Sequence, residues 1–286
     1  LGRTFYQEAG SFSVGMSPSY VDKLLRLHQM EGCKGMSWIG EAAPGKDSGE
    51  GVSESEHRLY RTTVGILMWL CQERLDIGVM TNRLAGQVQA PRQIDFRNAR
   101  KLLRYLSVTR DWKAKLVPEG VPVRREGADR NLVRVDGFSD SDWAGCADTR
   151  ASRSGWCVYV FGALITGGTR RQRTVSLSSC EAEFYAATVC TQEVLNVCEL
   201  VGEITGTTPR GLVDLDSNSA RALATKVGVA RTKHLETRSL WLQQQVQDRR
   251  VMVVRVGTLD NVSDLLTKVP NPGVQRRLLP QLGFSG

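Results

Sequence analysis

The C-terminal half of this 286-residue chain is predicted to form an α/β fold with a mixed sheet, on three observations. Strand-like runs follow one another at Leu132–Asp140, Gly155–Phe161 and about Thr174–Leu177, the first with the apolar–polar alternation of a half-buried strand. A long helical stretch, Ser179–Ile204, comes next. It is followed by a strand at Leu212–Asp216, helices through Gln247, a strand at Val251–Val256 and a short helix near Asn261–Lys268. Hairpin-linked strands succeeded by alternating helices and strands suit a mixed sheet with helices packed on it.

The N-terminal half reads differently. A short hairpin (Thr4–Tyr6, Ser11–Met16) leads into a helix with Pro18 near its start and an apolar face of Tyr20, Val21, Leu24, Leu25, Leu27 and Met30. Gly40–Glu56 is poor in apolar residues and rich in Gly, Ser and Glu, so it is expected to be a linker or mobile loop. Helical periodicity over Tyr60–Cys71, Asp76–Gln87 and Gln93–Leu106 predicts a small helical subdomain. Arg92, Arg97, Arg100, Lys101 and Arg104 cluster on and before its third helix, as a solvated face or as a surface that tracks phosphates. Pro118, Gly120, Pro122 and Gly127 mark a second boundary at 117–130. The expected divisions are therefore 1–39, a linker 40–57, the helical subdomain 58–116, a linker 117–130 and the α/β domain 131–286.

Composition narrows the function. No apolar run approaches the roughly 20 residues that span a bilayer, and no charged-then-apolar signal segment opens the chain. Its start at Leu1 rather than Met suggests a fragment of a longer protein. Seven cysteines form no CxxC pair and read as reduced thiols; His28, His57 and His234 are too scattered for a zinc site. The net charge of +8 fits a polyanionic partner.

Four segments place a carboxylate where a strand ends or a helix begins. Such carboxylates, gathered from separate elements at one end of a sheet, suit hard divalent cations such as Mg²⁺. Each has a local rival. Asp140 ends the first strand, and Asp142 shares its face only if the strand runs that far. Ser178 and Glu181 fit a capping box, which gives Glu181 a structural role and makes Glu183, beyond the cap, the better ligand of the two competing glutamates. Asp216 ends a strand before a helix and could equally be its N-cap, while Asp214 alternates onto the same strand face. Asp264 lies on the last short helix, where a first-turn aspartate also favours the helix dipole; Asp260 lies in the loop before it.

The neighbours of these acids carry a resemblance. Gly137-Phe-Ser-Asp-Ser-Asp-Trp-Ala-Gly145, Arg153-Ser-Gly-Trp156, Leu177-Ser-Ser-Cys-Glu-Ala-Glu-Phe184, Asp216-Ser-Asn-Ser-Ala220, Arg231-Thr-Lys-His234 and Ser263-Asp-Leu-Leu-Thr-Lys268 occur in one order. Together they resemble the ribonuclease H domain of copia-type retrotransposon polyproteins. Upstream, Pro18-Ser-Tyr-Val-Asp-Lys-Leu-Leu25 and Met30-Glu-Gly-Cys-Lys34 resemble the end of the reverse transcriptase in that family. Tyr60–Leu70 and Lys101–Leu106 are similar to its connecting segment.

The resemblance implies a ribonuclease H-like mixed five-stranded sheet with helices on both faces, preceded by a small mostly helical subdomain. It implies Asp140, Glu183, Asp216 and Asp264 as catalytic and metal-binding residues around two Mg²⁺ ions, with Mn²⁺ as a substitute. Asp136-Gly137 mimics the Asp-Gly of other ribonucleases H, but the copia pattern points to Asp140. The implied reaction is hydrolysis of the RNA strand of an RNA–DNA hybrid, with the rest of the polyprotein as partner and a location in cytoplasmic virus-like particles or the nucleus. Integrases and transposases of related fold place Glu last, whereas here it comes second. No Asp-Asp pair occurs, so polymerase activity is not expected. The competing reading is an inactive ribonuclease H-like remnant that binds nucleic acid or a partner protein. Thr166-Gly-Gly-Thr169 replaces the family's Trp-Ser-Ser before the basic run Arg170–Arg173, a departure that puts substrate contacts there in doubt. Lys233-His234 reads as a phosphate handle or a surface pair.

Overall fold

Strands β1 (Arg3–Glu8) and β2 (Ser11–Met16) form an antiparallel hairpin, and helices α1 (Ser19–Leu27), α2 (Glu54–Leu70), α3 (Gly78–Gly86) and α4 (Gln93–Thr109) follow. This is a computed structural model that describes residues 2–8, 10–117, 133–146, 148–226 and 237–284. A short strand β3 (Ala114–Lys115) pairs with β2. Apolar faces meet in a core that includes Leu24, Tyr60, Leu67, Leu102 and Leu106. A capping box opens α2, with Ser53 Oγ accepting from Glu56 N and Ser53 N donating to the Glu56 carboxylate. At the centre Arg74 is fully committed: it pairs with Asp76 at 2.8 Å and donates to Thr109 O at 2.7 Å, while Tyr105 Oη donates to Asp76.

The segment expected to be a mobile linker is docked. Ala42 N donates to Asn98 Oδ1, Gln93 N to Glu50 O, and Arg97 to both Asp47 and Ser48. The same polar composition that removes it from any core supplies acceptors for the basic face of α4. Four of the five basic residues on and before α4 thereby have partners within the chain. Arg92 pairs with Asp95, Arg100 donates to His28 O, and Lys101 donates to Glu41 O.

The second unit, Val117–Lys268, holds the sheet. Its elements are β4 (Arg134–Asp142), β5 (Arg153–Val160), β6 (Ala163–Arg171), α5 (Ser179–Thr205), β7 (Arg210–Leu215), α6 (Asn218–Thr225), α7 (Thr237–Gln247) and β8 (Val251–Arg255). Strand order is β6-β5-β4-β7-β8, antiparallel from β6 to β4 and parallel from β4 to β8. This is the mixed ribonuclease H-like sheet. Helix α5 packs on β4, β5 and β7, and a 3-10 turn, Val262–Leu266, packs on β4 and β5. No helix of the described residues is long and apolar enough to cross a membrane.

Two expectations change. The third strand is Ala163–Arg171, not Thr174–Leu177, because Phe161-Gly162 turns the chain with positive φ at both residues (52° and 82°). The last helix, α8 (Pro272–Leu278), belongs with the first unit, Leu1–Leu116, rather than with the sheet domain expected to run to 286. Ile39 N donates to Gln275 Oε1, and Lys115 N to Gly283 O. The boundary residues 118–130 and the Arg231–His234 motif, with Lys233 and His234, lie outside the described residues.

Two glycines set close approaches. At Gly137 a Cβ would lie 2.4 Å from Val194 Cγ2 and 2.7 Å from Cys190 Sγ, so α5 rests directly on β4. At Gly155, the partner of Asp140, a Cβ would lie 2.8 Å from Leu266 Cβ and 2.9 Å from the Leu266 carbonyl carbon. Gly155→Ala is therefore expected to cost roughly 1–3 kcal/mol through overpacking and to weaken divalent-ion binding by displacing the 264–268 segment. Denaturant melts and a Mn²⁺ titration check it; an unchanged stability would mean that the turn yields freely.

Candidate active site

Side chains alternate across β4. The α5 side takes position 137, so Phe138 and Asp140 point to the other face, toward the Val262–Leu266 turn. Asn261 fixes that turn. Its Nδ2 donates to Ser139 O at 3.0 Å, and its Oδ1 accepts from Ser263 N. Thr267 Oγ1 then donates to Asp140 Oδ2. Lys268 Nζ lies 2.7 Å from Asp264 Oδ1 and 3.9 Å from Asp140 Oδ2.

Glu183 arrives from the first turns of α5. Ser178 Oγ caps the helix by accepting from Glu181 N. The Glu181 carboxylate accepts from Leu177 N at 2.7 Å and from Tyr185 Oη at 3.0 Å. Its return bond thus reaches the residue before the cap, not Ser178 as a standard capping box requires, but it remains structural. Glu183 Oε2 is buried and finds no hydrogen-bond partner among the described residues. Asp216 follows β7, and the cap of α6 is Ser217, whose Oγ accepts from Ala220 N. Asp216 is therefore not needed as an N-cap.

Asp140, Glu183 and Asp216 each offer a carboxylate oxygen within 4.8 Å of the others. Asp264 stands beside Asp140 and completes a four-acid neighbourhood. The rivals lie elsewhere: Asp142 is 3.7 Å from Arg153, Asp136 is 3.5 Å from Arg134, Asp214 is buried within β7, and Asp260 is exposed. Thr267 and Lys268, quoted in a motif but given no role from sequence, contact the acids directly. The Asp264–Lys268 spacing of four residues was the available signal.

Charge crowding marks the site. Burial first, then Asp264, pushes the Asp140 carboxyl up to about 7, against the pull of Lys268 and Thr267. Burial, then Asp140 and Asp216, pushes Glu183 up to about 9. Burial and Asp264 raise Asp216. Burial alone would lower Lys268, yet Asp140, Asp264 and Asp216 hold it above its ordinary value. An all-oxygen donor set with one buried, unpartnered carboxylate oxygen fits a hard divalent cation.

No protein-family model matches the chain. Over 211 residues it is 30% identical to the retrovirus-related Pol polyprotein from transposon RE1 of Arabidopsis thaliana, a match covering 73% of this chain and 14% of that one. Over 278 residues it is 28% identical to the Pol polyprotein from transposon TNT 1-94 of Nicotiana tabacum, covering 94% and 20%. The chain is a distant homologue of copia-type Pol polyproteins. It spans a fifth or less of those relatives' own length. The crystal structure of LC11-RNase H1 in complex with RNA/DNA hybrid matches 46% of this Pol homologue and 93% of its own chain, at 12% identity and a TM-score of 0.36. The fold assignment rests on strand order, not on that overlay.

The raised carboxyls carry a consequence for stability. Unfolded, Asp140 and Glu183 lose their protons near 3.8 and 4.5. The folded protein then holds more protons than the unfolded chain between roughly pH 4 and pH 9, so stability falls as pH rises through that window. Metal-free protein is expected to melt several degrees lower at about pH 9 than at about pH 6, and Mg²⁺ to restore more at the higher pH. The slope should be shallower in Glu183→Gln. Equal slopes in the two proteins would show that Glu183 is not the crowded group.

Proposed function

We propose that the sheet-bearing unit is a ribonuclease H, a divalent-metal-dependent endonuclease that hydrolyses the RNA strand of RNA–DNA hybrids as part of a longer copia-type Pol polyprotein. The convergence of Asp140, Glu183 and Asp216 from three separate elements carries the reading. With Asp264 they are the catalytic, metal-holding carboxylates. Mg²⁺ or Mn²⁺ bound there, as two ions, would supply the hydroxide nucleophile and steady the leaving 3′-oxygen.

The chain's own residues do the rest. Thr267 orients Asp140, and Lys268 keeps Asp264 turned toward it. Burial of Asp140 and Asp264 keeps bulk water from screening the site, so charges there act at short range with little attenuation. The +8 net charge favours a polyanionic substrate, and the 2′-hydroxyls of the RNA strand distinguish it from DNA. The hybrid and the remaining polyprotein are the proposed partners, in virus-like particles or the nucleus.

Purified protein is expected to cut the RNA of a hybrid with Mg²⁺ or Mn²⁺, to spare duplex DNA and to stop in EDTA. Glu183→Gln should stay folded and lose hydrolysis by roughly 10²-fold or more, the scale on which a preorganised charged group contributes. Glu181→Gln should lose on the order of 1 kcal/mol of stability and keep most hydrolysis, since the amide still offers an acceptor oxygen. Folded wild type that cuts no hybrid with either metal would favour the inactive, binding-only reading. A dead Glu181→Gln beside an active Glu183→Gln would exchange the two roles.

A further inference from the structure

Lys268 brings a positive charge to the acids, and it is held there differently from the buried ion pair of the first unit. Its Nζ lies 2.7 Å from Asp264 Oδ1 and 3.9 Å from Asp140 Oδ2. Those two carboxylates are its only ion-pair partners among the described residues. Their side chains are 10% and 6% exposed, whereas that of Lys268 is 52% exposed. Arg74 is the contrast: it is buried, forks onto Asp76 through two nitrogens and also donates to Thr109 O.

Only the backbone at Lys268 is anchored. Thr267 N and Thr267 Oγ1 both donate to Asp264 O, and Thr267 Oγ1 also donates to Asp140. The flexible four-carbon stem beyond it reaches either the acids or solvent. An ammonium is a compact single charge, and here it rests on carboxylate oxygens of the kind that a hard divalent ion takes as ligands. A divalent ion brings twice that charge, but it cannot share Asp140 and Asp264 with the ammonium without strong repulsion at such short range. A monovalent ion brings no more charge than the lysine already supplies.

We propose that Lys268 is a resident counter-ion that a divalent cation must displace from Asp140 and Asp264, so that it sets the site's affinity for the ion and its preference for divalent over monovalent cations. The proposal rests on the ribonuclease H reading for the kind of ion these acids hold. A lysine that served only to orient Asp264 would act in the opposite direction: its removal would loosen the acid and weaken ion binding.

The test is Mn²⁺ titration calorimetry and melting in EDTA on the full chain. It compares wild type with the neutral variants Lys268→Met and Lys268→Gln and the charged Lys268→Arg. Both neutral variants should bind Mn²⁺ about tenfold more tightly, the scale of one partly screened charge removed from beside the ion. Both should melt a few degrees lower in EDTA, because the acids lose their counter-charge, and saturating Mn²⁺ should erase that deficit. Lys268→Arg should stay near wild type in both measurements. At equal ionic strength, NaCl in place of choline chloride should stabilise the metal-free neutral variants and leave wild type unmoved.

Equal or weaker Mn²⁺ binding by the neutral variants overturns the proposal, and hybrid cleavage by wild type then leaves the ribonuclease reading intact. Tighter binding by the neutral variants of a protein that never cleaves hybrid supports the counter-ion and sinks the ribonuclease reading. No Mn²⁺ binding by wild type or by either neutral variant overturns both.

Discussion

Carboxylates held within 4.8 Å of one another repel, and the second unit is organised around keeping them there. Each arrives on a different element, and each element is secured by bonds that do not involve the acids. Asn261 ties the 3-10 turn to β4 through Ser139 O. Ser178 and Glu181 secure the start of α5, and Ser217 secures the start of α6. Gly137 and Gly155 let a helix and a turn approach the central strands more closely than any side chain permits. Glu183 Oε2 is left buried without a hydrogen-bond partner among the described residues. That cost in stability is what a cation would recover on binding.

Division of labour between neighbours follows from the same constraint. Glu181 and Glu183 are two residues apart, yet one accepts two hydrogen bonds within the protein and the other keeps a buried oxygen without a partner. Asp140 and Asp142 divide likewise: one faces the acids, and the other faces Arg153. Lys268 is the one cation shown against the cluster among the described residues, and it offsets the charge of Asp140 and Asp264 only in part.

Much of this was legible from local pattern. Alternation through Phe138, a cap at Ser178 and an apolar strand expected to end at Asp216 placed three acids on or next to the elements that carry them, because each rule concerns residues close in sequence. What was missed depends on distant partners. The third strand was displaced because Thr166-Gly-Gly-Thr169 has weak strand propensity and is held instead by its register with β5. The stretch 40–50 looked unstructured because its stabilising contacts, such as Asp47 with Arg97, lie far along the chain. For the same reason the arginines of α4 looked free. Residues 269–286 follow the last acid closely in sequence, yet Gln275 bonds to Ile39, a pairing that no local pattern encodes.

The most direct measurement is a crystal of the protein soaked in Mn²⁺ and examined by anomalous diffraction. The account predicts Mn²⁺ peaks bounded by Asp140, Glu183 and Asp216, with Glu183 Oε2 as a ligand and Lys268 turned away from Asp140. Saturating Mn²⁺ that leaves those three carboxylates without a peak, or that binds only at other acids such as Asp142 or Asp260, would contradict it.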